Sequence, residues 1–454
     1  MATVVSTQTQ IESAPEDSRI QLRGIRPTPA DSTTSVRLEP VDDVLEASLL
    51  ADNTVPDGGH GWVVITACAV VSFWFTGVNY SWGVMQAALV DQGLSTASKL
   101  SFVGSIPPTL IAAMAIINSR IVRKVGARWS AISGISLLVV AQIASSFATH
   151  SVVALYMTAG VILGLGMSLC FATCSVIPAQ YFKRRRGLAN GIVFAGGGMG
   201  GAIVTIVEGI LIQRVGVAWA YRIMGIATLV TGIPAAWMIT DRTKIRPAGF
   251  IEWRLFKDMR FTLMFVASAV ATFPLLVPAF FLPLYSQSMG LSTSTGAGLL
   301  AGFNFSSALG RIFSGFLADK IGGTNALLGG LLVASLAMLG LWPASTSVGP
   351  LAVFAILSGA TNGGVFATIP TVVGNVFGSA RVSIALGMIV TGWGAGYLMG
   401  APIAGYLLDA YGGQDGGLKA YRPAMFYAGS LSLGAAGLVA LIRFRMSTSL
   451  KAKV

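Results

Sequence analysis

Residues 302–322 read G-F-N-F-S-S-A-L-G-R-I-F-S-G-F-L-A-D-K-I-G and place one arginine, Arg311, within an apolar run. A charge at membrane depth costs from about 3 to more than 10 kcal/mol, so such residues usually face a protein interior or a wet cavity. The run ends at Asp319-Lys320-Ile321-Gly322, a charged turn that is typical of an exit into water. The stretch therefore predicts a membrane-spanning helix that carries a functional cation.

The composition of the whole chain supports this interpretation. Hydrophobic residues make up 54% of the 454 residues and charged residues 11%, against roughly 45–50% and about 25% in soluble domains. The net charge of +12 would suit nucleic-acid binding only on the basic face of a soluble module. The sequence predicts no such module, so membrane lipids rather than nucleic acid are the expected partners of the basic loops.

The sequence indicates no catalytic or metal-binding cluster. Cys68, Cys170 and Cys174 lie inside apolar runs without partner ligands nearby, so we interpret them as buried small side chains. No group of His, Asp, Glu or Cys within the apolar segments has catalytic spacing. We therefore predict neither an enzyme nor a cofactor or metal site, and no obligatory protein partner is indicated.

Twelve apolar segments follow from Gly61 onward, each near the roughly 20 residues that a spanning helix needs. They cover about residues 61–84, 100–119, 129–149, 152–177, 188–212, 221–240, 261–285, 295–316, 324–344, 350–373, 382–408 and 423–442. We therefore predict an all-α membrane protein with twelve transmembrane helices. An even number of spans places both termini on one side of the membrane.

Basic residues predict which side that is. The connections after even-numbered segments, together with the C-terminal tail, hold twenty Lys and Arg residues, and the opposite side holds five. Because cytoplasmic loops carry an excess of Lys and Arg, both termini are expected to be cytoplasmic. The plasma membrane is the expected location.

The longest internal connection divides the chain into two six-helix halves. Residues 241–260 follow the sixth segment and carry six basic residues. They separate a first half, residues 57–240, from a second half, residues 261–442. Residues 1–56 are polar and cannot bury enough apolar surface to fold alone, so they are predicted to be a disordered cytoplasmic tail. Residues 443–454 form a second cytoplasmic tail.

The two halves repeat each other at an offset of six segments. Arg123-Lys124-Val125-Gly126 follows the second segment, as Asp319-Lys320-Ile321-Gly322 follows the eighth. Phe171-Ala172-Thr173 in the fourth segment likewise corresponds to Phe366-Ala367-Thr368 in the tenth. Parallel repeats of this kind are typical of secondary transporters whose two pseudo-symmetric halves rock against each other.

At these motifs the sequence resembles the major facilitator superfamily. Asp319-Lys320-x-Gly322, preceded by Gly315, is similar to the loop signature of that superfamily, which lies between the second and third helices of a half. The first half departs from the pattern, because Arg123 stands in place of the aspartate. The resemblance implies the twelve-helix transporter fold and leaves a first-half gate unsupported.

Two longer stretches resemble the signatures of the monocarboxylate porter family. They are P-D-G-G-H-G-W-V-V at 56–64, leading into the first helix, and Y-F-K-R-R-R-G-L-A-N-G at 181–191, entering the fifth. The polar tail and S-W-G-V-M-Q at 81–86 are similar to the fungal branch of the family. The resemblance covers about residues 56–442 and implies signature or gating roles for Asp57, Gly58, Gly59, Trp62, Tyr181, Phe182, Lys183, Arg184, Gly191, Asp319, Lys320 and Gly322. We expect the Asp57 carboxylate near the N-terminus of the first helix.

The candidate substrate site is centred on Arg311. Helical spacing places Asn304, Ser307 and Arg311 on one face of the eighth segment, and a guanidinium offers a planar fork that matches a carboxylate. The resemblance also implies that an arginine in the eighth helix contacts the substrate carboxylate. The alternative is that Arg311 extends to the nearby cytoplasmic surface.

Further candidates carry a second interpretation each. The family's proton-linked animal members have an aspartate where Ser307 stands and a first-helix lysine near Asn79 or Tyr80, so proton coupling through those positions is unsupported. Asn79 and Asn362 could line a substrate cavity or form hydrogen bonds between helices. Glu208, an acid within the fifth segment, could anchor that helix at the outer interface or relay a proton.

The function predicted from the sequence is secondary active transport of a small organic anion, a monocarboxylate or a carboxylate-bearing metabolite, by alternating access. A proton is the candidate coupling ion. Efflux of a larger fungal metabolite is the alternative within the same class. A nutrient sensor that binds without transporting is a further alternative from another class, and residues 1–56 do little to favour it.

Overall fold

The apolar runs of the sequence form α-helices, and the parts of the chain that the structure describes contain no β-strand. The computed structural model describes residues 57–95, 97–242, 252–413 and 417–447. The predicted tail at residues 1–56 lies outside these ranges. Residues 243–251 of the connection between the halves and residues 448–454 of the C-terminal tail also lie outside them.

In the first half, the described residues form eight helices and one π-helical turn. The turn, Tyr156–Ile162, joins the sixth helix to the seventh. The helices are α1 His60–Tyr80, α2 Trp82–Asp91, α3 Ala97–Ala113, α4 Ala115–Val125, α5 Ala127–Ser145, α6 Val152–Leu155, α7 Leu163–Tyr181 and α8 Arg186–Met238.

The second half follows a 3-10 turn at Trp253–Lys257. Its helices are α9 Met259–Thr272, α10 Val277–Ser288, α11 Thr293–Ile321, α12 Gly323–Leu336, α13 Trp342–Ala344, α14 Val348–Thr391, α15 Trp393–Ala410 and α16 Arg422–Met446. A π-helical turn at Ala337–Leu341 precedes α13, and a 3-10 turn at Leu418–Tyr421 precedes α16.

Several helix ends differ from the sequence prediction because glycines bend the chain without a loop. Segments 188–212 and 221–240 are joined in α8, which bends at Gly216 with φ 81°. A straight helix of 53 residues would extend about 80 Å, more than twice the thickness of a bilayer core. The bend therefore divides α8 into two spans. Gly378, with φ 76°, bends α14 in the same way.

Nine helices among the described residues are long and apolar enough to cross a membrane, and the pair formed by α3 and α4, bent by 61°, makes a tenth. The expected all-α membrane fold is confirmed, whereas the count of twelve is not reproduced. Two predicted spans share α8, and α11 is not among the apolar helices. The helix α11 is less apolar because it carries Asn304, Arg311 and Asp319.

The repeated loop motif has the same backbone in both halves. Gly126 has φ 95° and ψ 158°, and Gly322 has φ 99° and ψ 147°. A side chain is disfavoured at positive φ, which explains glycine at both positions. Each glycine ends one helix and begins the next, and its N–H donates to the residue four positions earlier, Val122 or Ala318. The sequence repeat is therefore also a structural repeat.

The two halves meet along α8 and α11, where small residues bring the backbones together. A Cβ atom added to Gly187 would lie 2.3 Å from the Gly315 oxygen, and one added to Gly191 would lie 2.5 Å from the Arg311 oxygen. Side chains have no room at such distances, as in other close helix crossings of membrane proteins. We call this contact, formed by Gly187, Gly191, Gly198, Ala308, Arg311 and Gly315, the glycine seam.

Candidate functional site

Arg311 is buried at the contact between the two halves. Its side chain is 2% exposed, so it does not extend to the cytoplasmic surface. Its Nη1 atom donates to the Phe194 carbonyl oxygen at 2.6 Å, and Nη2 donates to the Tyr80 hydroxyl at 3.3 Å. The guanidinium also lies 5.3 Å from the centre of the Phe366 ring. The second-half arginine is therefore held by two first-half oxygen atoms.

The positive charge of Arg311 has no counter-charge in the part of the chain that is described. The ion pairs there join Arg260 to Asp258 and Arg381 to Glu252, and the Arg311 Nε atom is buried without a hydrogen-bond partner. A buried cation is stabilised mainly by an opposite charge or by a full set of hydrogen bonds. The Arg311 site therefore has the capacity to accept an anion.

Aromatic rings from both halves form one connected cluster, which includes the Phe366 ring that the Arg311 guanidinium covers. Phe171 lies 5.9 Å from Trp393 and Phe366 lies 6.2 Å from it, so the two repeated Phe-Ala-Thr motifs meet at one tryptophan. Ring contacts of 5.8 to 6.4 Å add the other members. We call this set the aromatic cluster; its members are Phe75, Phe171, Phe194, Phe366, Trp393 and Tyr397.

Trp393 contributes a second unpartnered donor. Its Nε1 atom is buried without a hydrogen-bond partner, and its ring contacts Phe366, the same ring that Arg311 covers. Trp393 was not among the residues predicted from the sequence. Its only sequence signal was a lone tryptophan in an apolar segment, which resembles an ordinary core residue.

The other predicted site residues lie in different surroundings. Tyr80 contacts Arg311 directly. Ser307 is buried, and Asn304 is partly buried one turn before it on α11. The side-chain nitrogen of Asn362 donates to the Leu275 carbonyl oxygen at 2.5 Å. Leu275 lies in the turn between α9 and α10. Asn362 thus forms a contact between helices, and its predicted role in binding substrate stays a prediction.

The two family signatures form one structural unit. Asp57 lies just before α1, but its carboxylate makes no capping hydrogen bond to that helix. Its Oδ1 atom instead accepts hydrogen bonds from the Lys183 and Arg184 N–H groups at 2.7 and 2.8 Å. The Trp62 and Phe182 rings pack at 4.5 Å, and a Cβ atom on Gly61 would lie 3.1 Å from the Phe182 ring. The first signature therefore fixes the connection between α7 and α8.

The superfamily motif of the second half caps a helix of the first half. The Asp319 carboxylate accepts hydrogen bonds from the Gly187 and Leu188 N–H groups at 2.7 and 2.8 Å. A carboxylate is favourable there, because the first N–H groups of a helix have no partner within it. This contact lies at the end of the bundle that carries the basic loops, and Lys320 and Gly322 follow Asp319 on α11.

Further hydrogen bonds between the halves lie at the same end. The Asn190 side chain donates to the Thr371 hydroxyl at 2.8 Å, and Arg186 Nη1 donates to the Asn375 side chain at 3.1 Å. Sequence reasoning assigned no role to Asn190, Thr371 or Asn375. Such contacts join residues about 180 positions apart, so nothing in local spacing indicates them.

Glu208 is buried inside the first half. Its side chain is 4% exposed, and its Oε2 atom has no hydrogen-bond partner. An acid that anchors a helix at the interface would reach the surface, so the anchoring interpretation does not describe this position.

The structure has two helical halves that meet around a buried cation. This arrangement is typical of multi-pass membrane transporters. The chain belongs to the Major Facilitator Superfamily, whose sequence profile matches residues 62–352 and 298–454. The predicted resemblance is thereby confirmed. The structure of the human organic anion transporter MFSD10 shows the same fold, with a TM-score of 0.66 over 84% of this chain and 100% of that one, at 13% identity.

Curated relatives support the fungal, monocarboxylate-transporter-like assignment within the superfamily. The chain is 29% identical over 389 residues to the aspyridones efflux protein of Emericella nidulans, covering 84% of this chain and 78% of that protein. It is 27% identical over 400 residues to monocarboxylate transporter 13 of Rattus norvegicus, covering 85% and 89% respectively.

Proposed function

We propose that this chain moves a carboxylate-bearing organic anion across a membrane by alternating access, with Arg311 as the residue that binds the carboxylate. The observation that carries the proposal is the buried guanidinium, which has an unpartnered Nε atom and no acidic partner among the described residues. A carboxylate would supply the missing charge and accept parallel N–H bonds from the fork. Asn304 and Ser307 lie on the same helix face and would contact the rest of the substrate.

The substrate that fits these surroundings has a flat, unsaturated body. The aromatic cluster brings Phe171 of the first half and Phe366 of the second half to Trp393, and such rings favour offset or edge-to-face packing with another ring. The Trp393 N–H group would donate to a carboxylate or carbonyl oxygen of the substrate. A short aliphatic acid such as lactate has no ring to pack against these side chains.

Export is the direction that we propose. One relative is named as an efflux protein for aspyridones, and an exporter of a larger metabolite needs the apolar surface that the aromatic cluster provides. The basic end of the bundle, closed by the glycine seam and Asp319, would face the cytoplasm by the positive-inside rule. The chain would then take up its substrate when this end opens, and the plasma membrane is the proposed location.

The proposal is tested by flux measurements with the purified full chain in proteoliposomes. The probes are labelled 1-naphthoate, benzoate and lactate, with the uncharged amide of naphthoate as the comparison. We expect 1-naphthoate to move fastest and the amide to move no faster than through protein-free vesicles. Arg311→Gln should abolish the carboxylate flux, because it removes the charge and the fork together.

Arg445→Gln is the matched control, since Arg445 is an exposed arginine at the end of α16. This variant should transport at the wild-type rate. A carboxylate flux that is unchanged in Arg311→Gln would contradict the proposed anion site. A wild-type protein that moves none of the three acids would contradict the proposed substrate class.

A further inference from the structure

A separate cavity lies inside the first half, where α1 ends and α2 begins. It has a volume of about 20 Å³, enough for about one water molecule, and the residues that line it include Asn79, Ser81, Trp82, Gln142, Glu208 and Tyr221. Every residue of its lining belongs to the first half, and Arg311 is not one of them. The cavity is therefore distinct from the proposed anion site at the contact between the halves.

Oxygen atoms without hydrogen-bond partners are concentrated in this cavity. They belong to Asn79, Gln142, Glu208 and Tyr221, and the side chains of the last three are 2%, 4% and 5% exposed. The Gln142 amide is oriented by its own bonds, because its nitrogen donates to the Leu138 carbonyl at 3.3 Å and to the Thr228 hydroxyl at 3.1 Å. Its oxygen is thus the atom left to face the cavity.

The chemistry of this set is the reverse of that at Arg311. The anion site presents unpartnered donors, whereas the cavity presents the acceptor oxygens of Gln142 and Asn79 beside a carboxyl and a phenol. Such a set favours a proton or another small cation over an anion. The cavity therefore has the composition of a cation site.

Glu208 has no positive partner within this cavity. Among the residues of its lining, the titratable groups are Glu208 and Tyr221. The neighbouring Arg222 directs its guanidinium away, toward the Phe147 and Trp219 rings and the Ser146 hydroxyl. A buried carboxylate without a counter-charge is strongly disfavoured, and such a group takes up a proton instead.

The end of α1 connects this cavity to the anion site. Tyr80 accepts a hydrogen bond from Arg311, and its neighbours Asn79 and Ser81 line the cavity. The helix is interrupted after Tyr80, and α2 begins at Trp82. The Trp82 ring packs so closely on Gly104 that a Cβ atom there would have no space. A movement of Tyr80 when an anion reaches Arg311 would therefore move two residues of the cavity wall.

We propose that Glu208 binds a proton when this cavity is closed and releases it when the cavity opens to water, so that proton movement is coupled to anion transport. The proton adds to the carboxylate to give the neutral acid, and the reverse step returns it to water. The coupling rests on the function proposed for Arg311, whereas protonation of Glu208 does not. Asn79 and Ser81 would transmit the state of one site to the other.

The protonation step is tested without any substrate. The infrared spectrum of the purified full chain in lipid nanodiscs is compared with that of Glu208→Gln over a range of pH. We expect the wild-type protein to show the C=O band of a protonated carboxyl, lost as pH is raised and missing from the variant. Asp258→Asn, outside the cavity, should retain the band. Identical spectra for the wild type and Glu208→Gln would overturn the proposal, whether or not any carboxylate is transported.

The coupling step is tested by 1-naphthoate flux in proteoliposomes. Glutamine resembles the protonated acid, so Glu208→Gln should still exchange internal for external 1-naphthoate but should lose accumulation driven by a pH gradient. Accumulation that is as strong as in the wild type would overturn the coupling. Accumulation that follows a sodium gradient and ignores pH would also overturn it, and would assign the cavity to sodium.

Discussion

Arg311 and Glu208 are ionisable residues whose side chains are buried. Among the described residues, neither forms an ion pair with a residue of opposite charge. Sequence reasoning could select both, because a lone charge in an apolar segment is conspicuous and costly. It could not predict their partners. The Phe194 carbonyl and the Tyr80 hydroxyl that hold Arg311 come from the other half of the chain, and the orientation of the Gln142 amide beside Glu208 depends on packing between helices.

Trp393 gives a prediction at the scale of a single residue. Trp393→Phe keeps an aromatic ring at the contact with Phe171 and Phe366 but removes the buried N–H donor. If the substrate accepts a hydrogen bond from this group, its loss should cost about 1.5 kcal/mol. We expect the half-saturating concentration of 1-naphthoate to rise about tenfold, measured as initial flux against concentration in proteoliposomes.

The control for this substitution is Trp253→Phe, at an exposed tryptophan outside the aromatic cluster. It should leave the half-saturating concentration unchanged. An unchanged value in Trp393→Phe as well would show that the indole N–H group does not contact the substrate.

At the scale of elements, α8 and α11 form a close contact between the halves at the basic end of the bundle. Their backbones approach closely at glycines, and Asp319 accepts two hydrogen bonds from the start of α8. An interface of this kind is held by close packing and a few polar contacts, so few hydrogen bonds must break when it separates. That property suits a gate.

The glycine seam is tested by Gly191→Ala. The added Cβ atom would lie 2.5 Å from the Arg311 oxygen, so α8 and α11 must move apart. We expect the basic end to open more often. A cysteine introduced as Thr371→Cys, in a chain whose three native cysteines are replaced by serine, should then react faster with a water-soluble maleimide.

Two other glycines provide matched controls for Gly191→Ala. A Cβ atom on Gly209 of α8 would lie 3.7 Å from its nearest neighbour, Val84, and one on Gly302 of α11 would meet nothing within 4 Å. Because alanine favours a helix by about 1 kcal/mol over glycine, both substitutions should leave labelling unchanged or slow it. Equal labelling in Gly191→Ala and these controls would contradict a gate at the seam.

The positions of the helices could be predicted from hydropathy. The bends within them could not, because bends depend on backbone geometry. The apolar runs located most spans within a few residues. The bends at Gly216 and Gly378 were missed as bends, because a glycine in an apolar run is compatible with a straight helix, a bend or a loop. In α11, the polar residues Asn304, Arg311 and Asp319 lower the hydropathy, so a hydropathy criterion alone does not identify this helix as a span.

At the scale of the whole molecule, the repeat between the halves explains why so much of the fold was predictable. Gly126 and Gly322 share one backbone conformation, and Phe171 and Phe366 meet the same tryptophan ring from opposite halves. The sequence showed both repeats as short motifs. It could not show that Phe171 and Phe366 meet at Trp393 or that Phe366 lies against Arg311. The contact between Phe171 and Trp393 exists only when the two halves pack together.

The pairing of Asp57 with the Lys183 and Arg184 N–H groups is a further example at this scale. Both family signatures were recognisable in the sequence, and a local argument placed Asp57 at its own helix. The structure instead uses the first signature to hold the second, about 126 residues away. Motifs that depend on each other are visible separately in a sequence, but their contact is not.

The measurement that tests the central claim most directly is the initial rate of 1-naphthoate transport by Arg311→Lys, compared with the wild type and with Arg445→Lys. Lysine keeps the positive charge but loses the planar fork that binds a carboxylate through two parallel N–H groups. We predict a rate at least about tenfold lower in Arg311→Lys, equivalent to about 1.4 kcal/mol, and an unchanged rate in Arg445→Lys. A wild-type rate in Arg311→Lys would contradict carboxylate recognition by Arg311.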